Sequence, residues 1–124
     1  MAEYFLKQQY PHLHIESAGI SGLIGHAADE KASLCMKSYG IDMSPHIAKK
    51  LNADLIKKAD LILVMSQNQK KHIEQIWPFS QGKTFLLGHW QNKNIADPYQ
   101  REQSVFDETC QLIEDCIADW KKHL

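Results

Sequence analysis

Apolar positions change their period several times along the chain. Ala2, Phe5 and Leu6 make a helical stripe over residues 2–10, with nothing before them that could cap it. Leu13 and Ile15 then alternate with polar neighbours ahead of Ser17-Ala18-Gly19, the pattern of a strand that enters a glycine-containing loop reaching about Ala28. From Asp29, a plausible cap, the positions Ala32, Cys35, Met36 and Tyr39 return to helical spacing, and Gly40 stands where helices stop. Asn52 can cap a short helix through Lys58. The near-continuous apolar run Leu61-Ile62-Leu63-Val64-Met65 is what a strand buried on both faces needs. Ser66 caps the next helix, with Gln69 in the capping-box position, and Trp77-Pro78 closes that helix after Ile76. Thr84-Phe85-Leu86-Leu87-Gly88 supplies another buried strand, and Val105, Thr109, Leu112, Cys116 and Trp120 trace one face of a long terminal helix.

Strands that alternate with helices predict an α/β fold: a three-layer arrangement in which a parallel sheet is flanked by helices and ligands bind at the carboxyl ends of strands. Three strands are few for such a sheet, so a first strand, ahead of residue 1, is expected to be absent. A length of 124 residues, 44% hydrophobic and 23% charged, fits one domain over residues 1–124.

Fourteen basic residues against fifteen acidic ones, a net charge of -1, and no basic run argue against a nucleic-acid partner. No stretch approaches the ~18 apolar residues of a membrane span, and the first residues do not read as a signal peptide; no membrane insertion and a cytoplasmic location are expected. The single arginine, Arg101, leaves little with which to build a bidentate phosphate fork. Cys35, Cys110 and Cys116 have no paired spacing, which predicts reduced thiols and neither a disulfide framework nor a zinc site. His12 and His14 would face the same way on a strand but lack a third ligand, so no metal or other cofactor is expected. Taken singly, Asp97-Pro98 is a turn, Ser17 a strand-end hydroxyl and His46 a loop histidine.

Their order changes that reading. Glu16-Ser17-Ala18-Gly19-Ile20, Tyr39-Gly40-Ile41-Asp42-Met43-Ser44-Pro45-His46, the strand of residues 60–65 and Asp97-Pro98-Tyr99 occur in succession. Together they resemble the low-molecular-weight protein-tyrosine phosphatases over residues 1–124. Phe85-Leu86-Leu87-Gly88-His89-Trp90 is similar to the bacterial branch that works with exopolysaccharide tyrosine kinases. The resemblance implies hydrolysis of a phosphotyrosine protein through a cysteinyl-phosphate intermediate, with such a kinase as the partner. It also implies that Asp97 protonates the leaving tyrosine oxygen and then serves as base toward water, while Pro98 restrains the loop. Tyr99 resembles an aromatic wall for the substrate ring, and Leu23 stands at the opposite wall, where the family commonly has an aromatic. Ser17 and His46 match positions that hydrogen-bond around the phosphate loop.

In the family the nucleophile and the phosphate-binding arginine lie on a Cys-x5-Arg loop after the first strand. Six residues beyond Cys35, Cys110 and Cys116 stand Ile41, Cys116 and Lys122, so none of the three begins that motif. Met1-Ala2-Glu3 resembles the family's residues immediately after that loop. The expectation is therefore a truncated, inactive phosphatase domain whose exposed sheet edges favour a homo-oligomer, such as a strand-exchanged dimer. Other readings are a catalytically dead phosphopeptide-binding or regulatory module and arsenate reduction, which needs reactive cysteines near the phosphate loop. Phosphoarginine hydrolysis is a further one, and its discriminating residues belong to the absent loop.

Overall fold

The computed structural model describes residues 1–20, 25 and 27–124. Its elements run along the chain as α1 (Ala2–Gln9), α2 (Glu30–Lys37), α3 (Ala53–Lys58), β1 (Ile62–Val64), α4 (Gln67–Ile76), β2 (Thr84–Leu86) and α5 (Gln103–Asp119), with short 3-10 turns between some of them. Local chemistry sets most of these boundaries. The Asp29 carboxylate accepts from the Lys31 N–H at 2.8 Å and opens α2, and Gly40, at φ +75°, takes the left-handed turn beyond its end. Asn52 Oδ1 accepts from Leu55 N–H at 2.9 Å at the start of α3. Ser66 Oγ accepts from Gln69 N–H at 3.3 Å, while Gln69 Oε1 reaches back to the Met65 N–H at 2.8 Å, one residue earlier than a standard capping box would place it.

β1 and β2 run parallel, with Ile62 opposite Thr84, Leu63 opposite Phe85 and Val64 opposite Leu86. Because successive strand residues point to opposite faces, the pair divides two apolar clusters. Leu61, Leu63, Met65, Phe85 and Leu87 pack with Phe5 of α1, Met36 of α2 and Ile113 and Ile117 of α5. Ile62, Val64 and Leu86 pack with Ile56 of α3 and Ile73 of α4. Helices thus cover both faces, as the alternating pattern predicted.

Beyond β2 the chain is held to the carboxyl end of the sheet. Trp120 Nε1 donates to Leu87 O at 2.8 Å, and the Ile95 N–H donates to Met65 O at 2.7 Å. Gly88 O accepts from both Gln91 and Lys93 N–H groups at 3.1 Å. A Cβ on Gly88 would lie 2.4 Å from Lys93 O, so only glycine fits this approach.

Four expectations need correction. The sheet has two strands among the described residues, where three were predicted. Residues 13–17 form no strand: Leu13 is 36% exposed, and extended backbone becomes a strand only when its N–H and C=O groups enter a ladder. The chain pairs briefly further on, where the Gly19 N–H donates to Lys49 O at 2.9 Å and Leu51 N–H donates to Gly19 O at 2.8 Å. The buried face of α5 is Phe106, Cys110, Ile113, Cys116 and Ile117, continuing to Trp120; the predicted Val105, Thr109 and Leu112 lie half-buried beside it. Finally, Cys35 and Cys110 are joined by a disulfide across 75 residues of sequence. Local spacing rules cannot find a pair that packing of α2 on α5 creates. Cys116 remains a free, buried thiol.

Candidate functional site

Asp97, Pro98 and Tyr99 leave the carboxyl end of the sheet just past the bond between Ile95 and Met65 and form a tight turn. Asp97 Oδ1 accepts from the Tyr99 N–H at 3.0 Å, Pro98 O accepts from the Arg101 N–H at 2.9 Å, and Gln100 takes a left-handed φ of 64°. Pro98 is buried, whereas Asp97 and Tyr99 are exposed. An aspartate followed by proline makes such a turn by accepting from the backbone two residues on. The result is a carboxylate of fixed direction beside an open phenol ring.

These three residues line a cleft of about 190 Å³ together with His46, Met43 and Met1, and with Ala28, Asp29 and Ala32 at the start of α2. Phe106 of α5 lies on the same wall. His46 arrives on a loop shaped by Asp42, whose carboxylate accepts from both the N–H and the hydroxyl of Ser44 at 2.9 Å. Its ring meets Tyr4 edge-on, with centroids 5.7 Å apart.

Ser17 does not line the cleft. It reaches His46 indirectly, through Glu3, which residue patterns had not singled out. Ser17 Oγ donates to Glu3 Oε1, Lys7 Nζ lies 2.6 Å from Glu3 Oε2, and His46 Nδ1 lies 3.9 Å from Glu3 Oε1. The Glu3 side chain is only 10% exposed. Burial alone would raise its pKa, but the hydrogen bonds from Lys7 and Ser17, with the charges of Lys7 and His46, outweigh burial and hold the carboxyl below its ordinary value. One half-buried carboxylate therefore joins α1, the segment after residue 13 and the His46 loop. The sequence signal for Glu3 was its spacing to Lys7, which by itself reads as an ordinary surface pair on a helix.

Of the five predicted site residues, the structure brings Asp97, Tyr99 and His46 to one cleft and ties Ser17 to it through Glu3; Leu23 lies outside the described residues. Neither a cysteine nor an arginine is among the cleft-lining residues. Among the described residues no cluster of histidine, cysteine or carboxylate side chains could hold a metal ion, and no helix is long and apolar enough to cross a membrane. Such a cleft can hold an aromatic ring against Tyr99 and deliver a proton from a carboxylate.

The family model for low molecular weight phosphotyrosine protein phosphatase matches residues 1–124. The low molecular weight protein-tyrosine-phosphatase Ptp of Acinetobacter johnsonii is 73% identical over 124 residues, covering 100% of this chain and 87% of that protein. Among solved structures, Vibrio vulnificus Wzb in complex with benzylphosphonate superposes with a TM-score of 0.94 at 35% identity, over 99% of this chain and 88% of the other. The tyrosine phosphatase AmsI of Erwinia amylovora gives a TM-score of 0.94 at 36% identity, over 99% and 82% of the two chains. A cleft built from an Asp-Pro-Tyr turn at the carboxyl end of a parallel sheet, a match along the whole chain and superpositions this close have one reading: the chain belongs to the low molecular weight phosphotyrosine protein phosphatase family.

Proposed function

We propose that residues 1–124 form a single domain carrying the proton-transfer half of a phosphotyrosine phosphatase site, with Asp97 as its acid and base. The observation that carries this reading is the convergence of Asp97, Tyr99 and His46 on one cleft. In the first step a cysteine thiolate attacks phosphorus and the bond to the tyrosine oxygen breaks, while Asp97 gives its proton to that oxygen. In the second, Asp97 takes a proton from water as the water oxygen attacks the phosphocysteine, releasing phosphate and the thiolate. With Oδ1 held by the Tyr99 N–H, the proton is assigned to Oδ2. Tyr99 forms one wall for the substrate ring and Leu23 the other. Ser17 and His46, joined through Glu3, shape the phosphate loop.

The nucleophile and the phosphate-binding arginine would come from a Cys-x5-Arg segment, which these 124 residues do not contain. A chain consisting of these residues alone is therefore inactive, and one in which a further strand and that segment are joined to them is active. The strand would be central, pairing with the edge of β1 that faces away from β2. Left open, that edge favours pairing with a second copy. The substrate class is a phosphotyrosine protein of the cytoplasm. An exopolysaccharide tyrosine kinase is the partner we favour, on the likeness of residues 85–90 to that bacterial branch.

The test compares hydrolysis of a phosphotyrosine peptide by the 124-residue chain and by a chain extended with the strand and Cys-x5-Arg segment. Activity confined to the extended chain supports the proposal, whereas equal turnover by both would place the nucleophile elsewhere. Retained binding without turnover by the short chain would favour the phosphopeptide-binding module. Sedimentation of the short chain as a monomer would remove the paired-edge reading.

A further inference from the structure

We propose that Cys35 and Cys110 are a reversible dithiol site, oxidised by hydrogen peroxide to a disulfide that ties α2 to α5. This inference is independent of the phosphatase chemistry, since neither residue lines the Asp97 cleft. The two Cα atoms are 6.8 Å apart, at the upper end of the range that a disulfide spans without moving the backbone. Cys35 is 3% exposed and Cys110 is wholly buried. Both sulfurs also have partners suited to the reduced form, because Cys35 Sγ can donate to Phe106 O at 3.6 Å and Cys110 Sγ to Met36 Sδ at 3.6 Å. In the reduced form these two contacts can serve as weak S–H hydrogen bonds, which oxidation replaces with one covalent bond.

Access differs between the two. Cys35 lines a shallow surface cleft of about 300 Å³ with Ser38, Tyr39, Gln103 and Asp107, whereas Cys110 does not reach it. The Asp107 carboxylate on this cleft disfavours an anionic oxidant, so a small neutral one is the fitting reagent. The Cys35 sulfur attacks one oxygen of hydrogen peroxide, the O–O bond breaks, and the thiol proton joins the departing hydroxide to leave as water, giving the Cys35 sulfenic acid. The Cys110 sulfur then attacks the Cys35 sulfur, its proton joins the departing hydroxyl, and a second water leaves. Two thiols and one peroxide become one disulfide and two waters. Cys116, six residues along α5 from Cys110, takes no part: it is a free thiol that neither lines this cleft nor is paired with another sulfur.

The test treats the reduced, folded 124-residue chain with hydrogen peroxide, alkylates the remaining thiols and maps the peptides without reduction. Expected are the loss of two hydrogens from the intact mass, one linked pair containing Cys35 and Cys110, alkylation confined to Cys116 once the chain is denatured, and reversal by dithiothreitol. The oxidised protein should melt roughly 5–15 °C above the reduced one, because the bond closes a long loop in the unfolded chain. That difference should vanish in Cys110→Ala. Cys35 and Cys110 both alkylated after peroxide, a link made through Cys116, or identical melting of the two redox forms would each overturn the proposal, and the peptide map decides it even if the variant fails to fold.

Discussion

Replacing Glu3 with glutamine, Glu3→Gln, tests whether one half-buried charge organises the groups behind His46. Glutamine keeps the shape and can still accept from Ser17 through Oε1, so the change removes the charge together with the oxygen that faces Lys7. In the folded chain that charge receives Ser17 Oγ and Lys7 Nζ and faces His46 Nδ1. Charge-assisted hydrogen bonds contribute more than neutral ones, but Lys7 is 45% exposed, and solvent screening reduces its share. We expect a net loss of about 1–2 kcal/mol at neutral pH. The pH dependence fixes the mechanism. The Glu3 pKa is depressed in the folded state, so its contribution is fully present above the ordinary glutamate range and disappears as pH falls through the depressed folded value. Urea unfolding of both proteins from about pH 7 down to about pH 3 should therefore show a stability gap that closes toward the acid end. A gap that stays constant across that range would mean that glutamine disturbs packing and that the Glu3 charge organises nothing.

Two further substitutions probe how the Asp97 turn is held in place. Gly88→Ala puts a methyl group 2.4 Å from Lys93 O; forcing that backbone apart should cost about 1–3 kcal/mol and lower the melting temperature by several degrees, and an unchanged melting temperature would contradict the close approach. Trp120→Phe removes the donor to Leu87 O from a side chain that is 4% exposed. It should destabilise by about 1–3 kcal/mol through the lost volume and the stranded carbonyl; chemical denaturation measures this, and a change below about 0.5 kcal/mol would count against the bond.

Signals carried within a few residues were legible in the sequence. Asp29, Asn52 and Ser66 each cap the helix they were expected to cap, and the apolar runs at 61–65 and 84–88 contain the two paired strands. The terminal helix was placed correctly, but its buried face was offset because Val105, Thr109 and Leu112 fit helical spacing about as well as Phe106, Cys110 and Ile113. Periodicity fixes a stripe only to within the width of a helix face. What depends on a distant partner was not legible. Leu13 and Ile15 alternate as a strand does, yet a strand exists only beside another strand. Spacing offers Glu3 only Lys7 as a partner, whereas the fold also sets Ser17 and His46 against it. Cys35 and Cys110 meet because α2 packs on α5, which no local spacing encodes. In the site, Asp97, Tyr99 and His46 were singled out through the order of short segments; the structure sets them on one cleft and adds the carboxylate that links Ser17 to His46.

The most direct test of Asp97 as the proton donor uses the extended chain, with its Cys-x5-Arg segment, and a series of aryl phosphates whose leaving groups range from acidic nitrophenols to phenol itself. Rates for the parent sequence and for Asp97→Asn are compared across the series. Protonation matters most when the departing oxygen is most basic, so the loss caused by Asp97→Asn should grow toward phenol and reach about 10²- to 10⁴-fold there, while remaining small for the most acidic leaving group. A loss of the same size for every leaving group would contradict the account, leaving Asp97 with no more than a structural part in its turn.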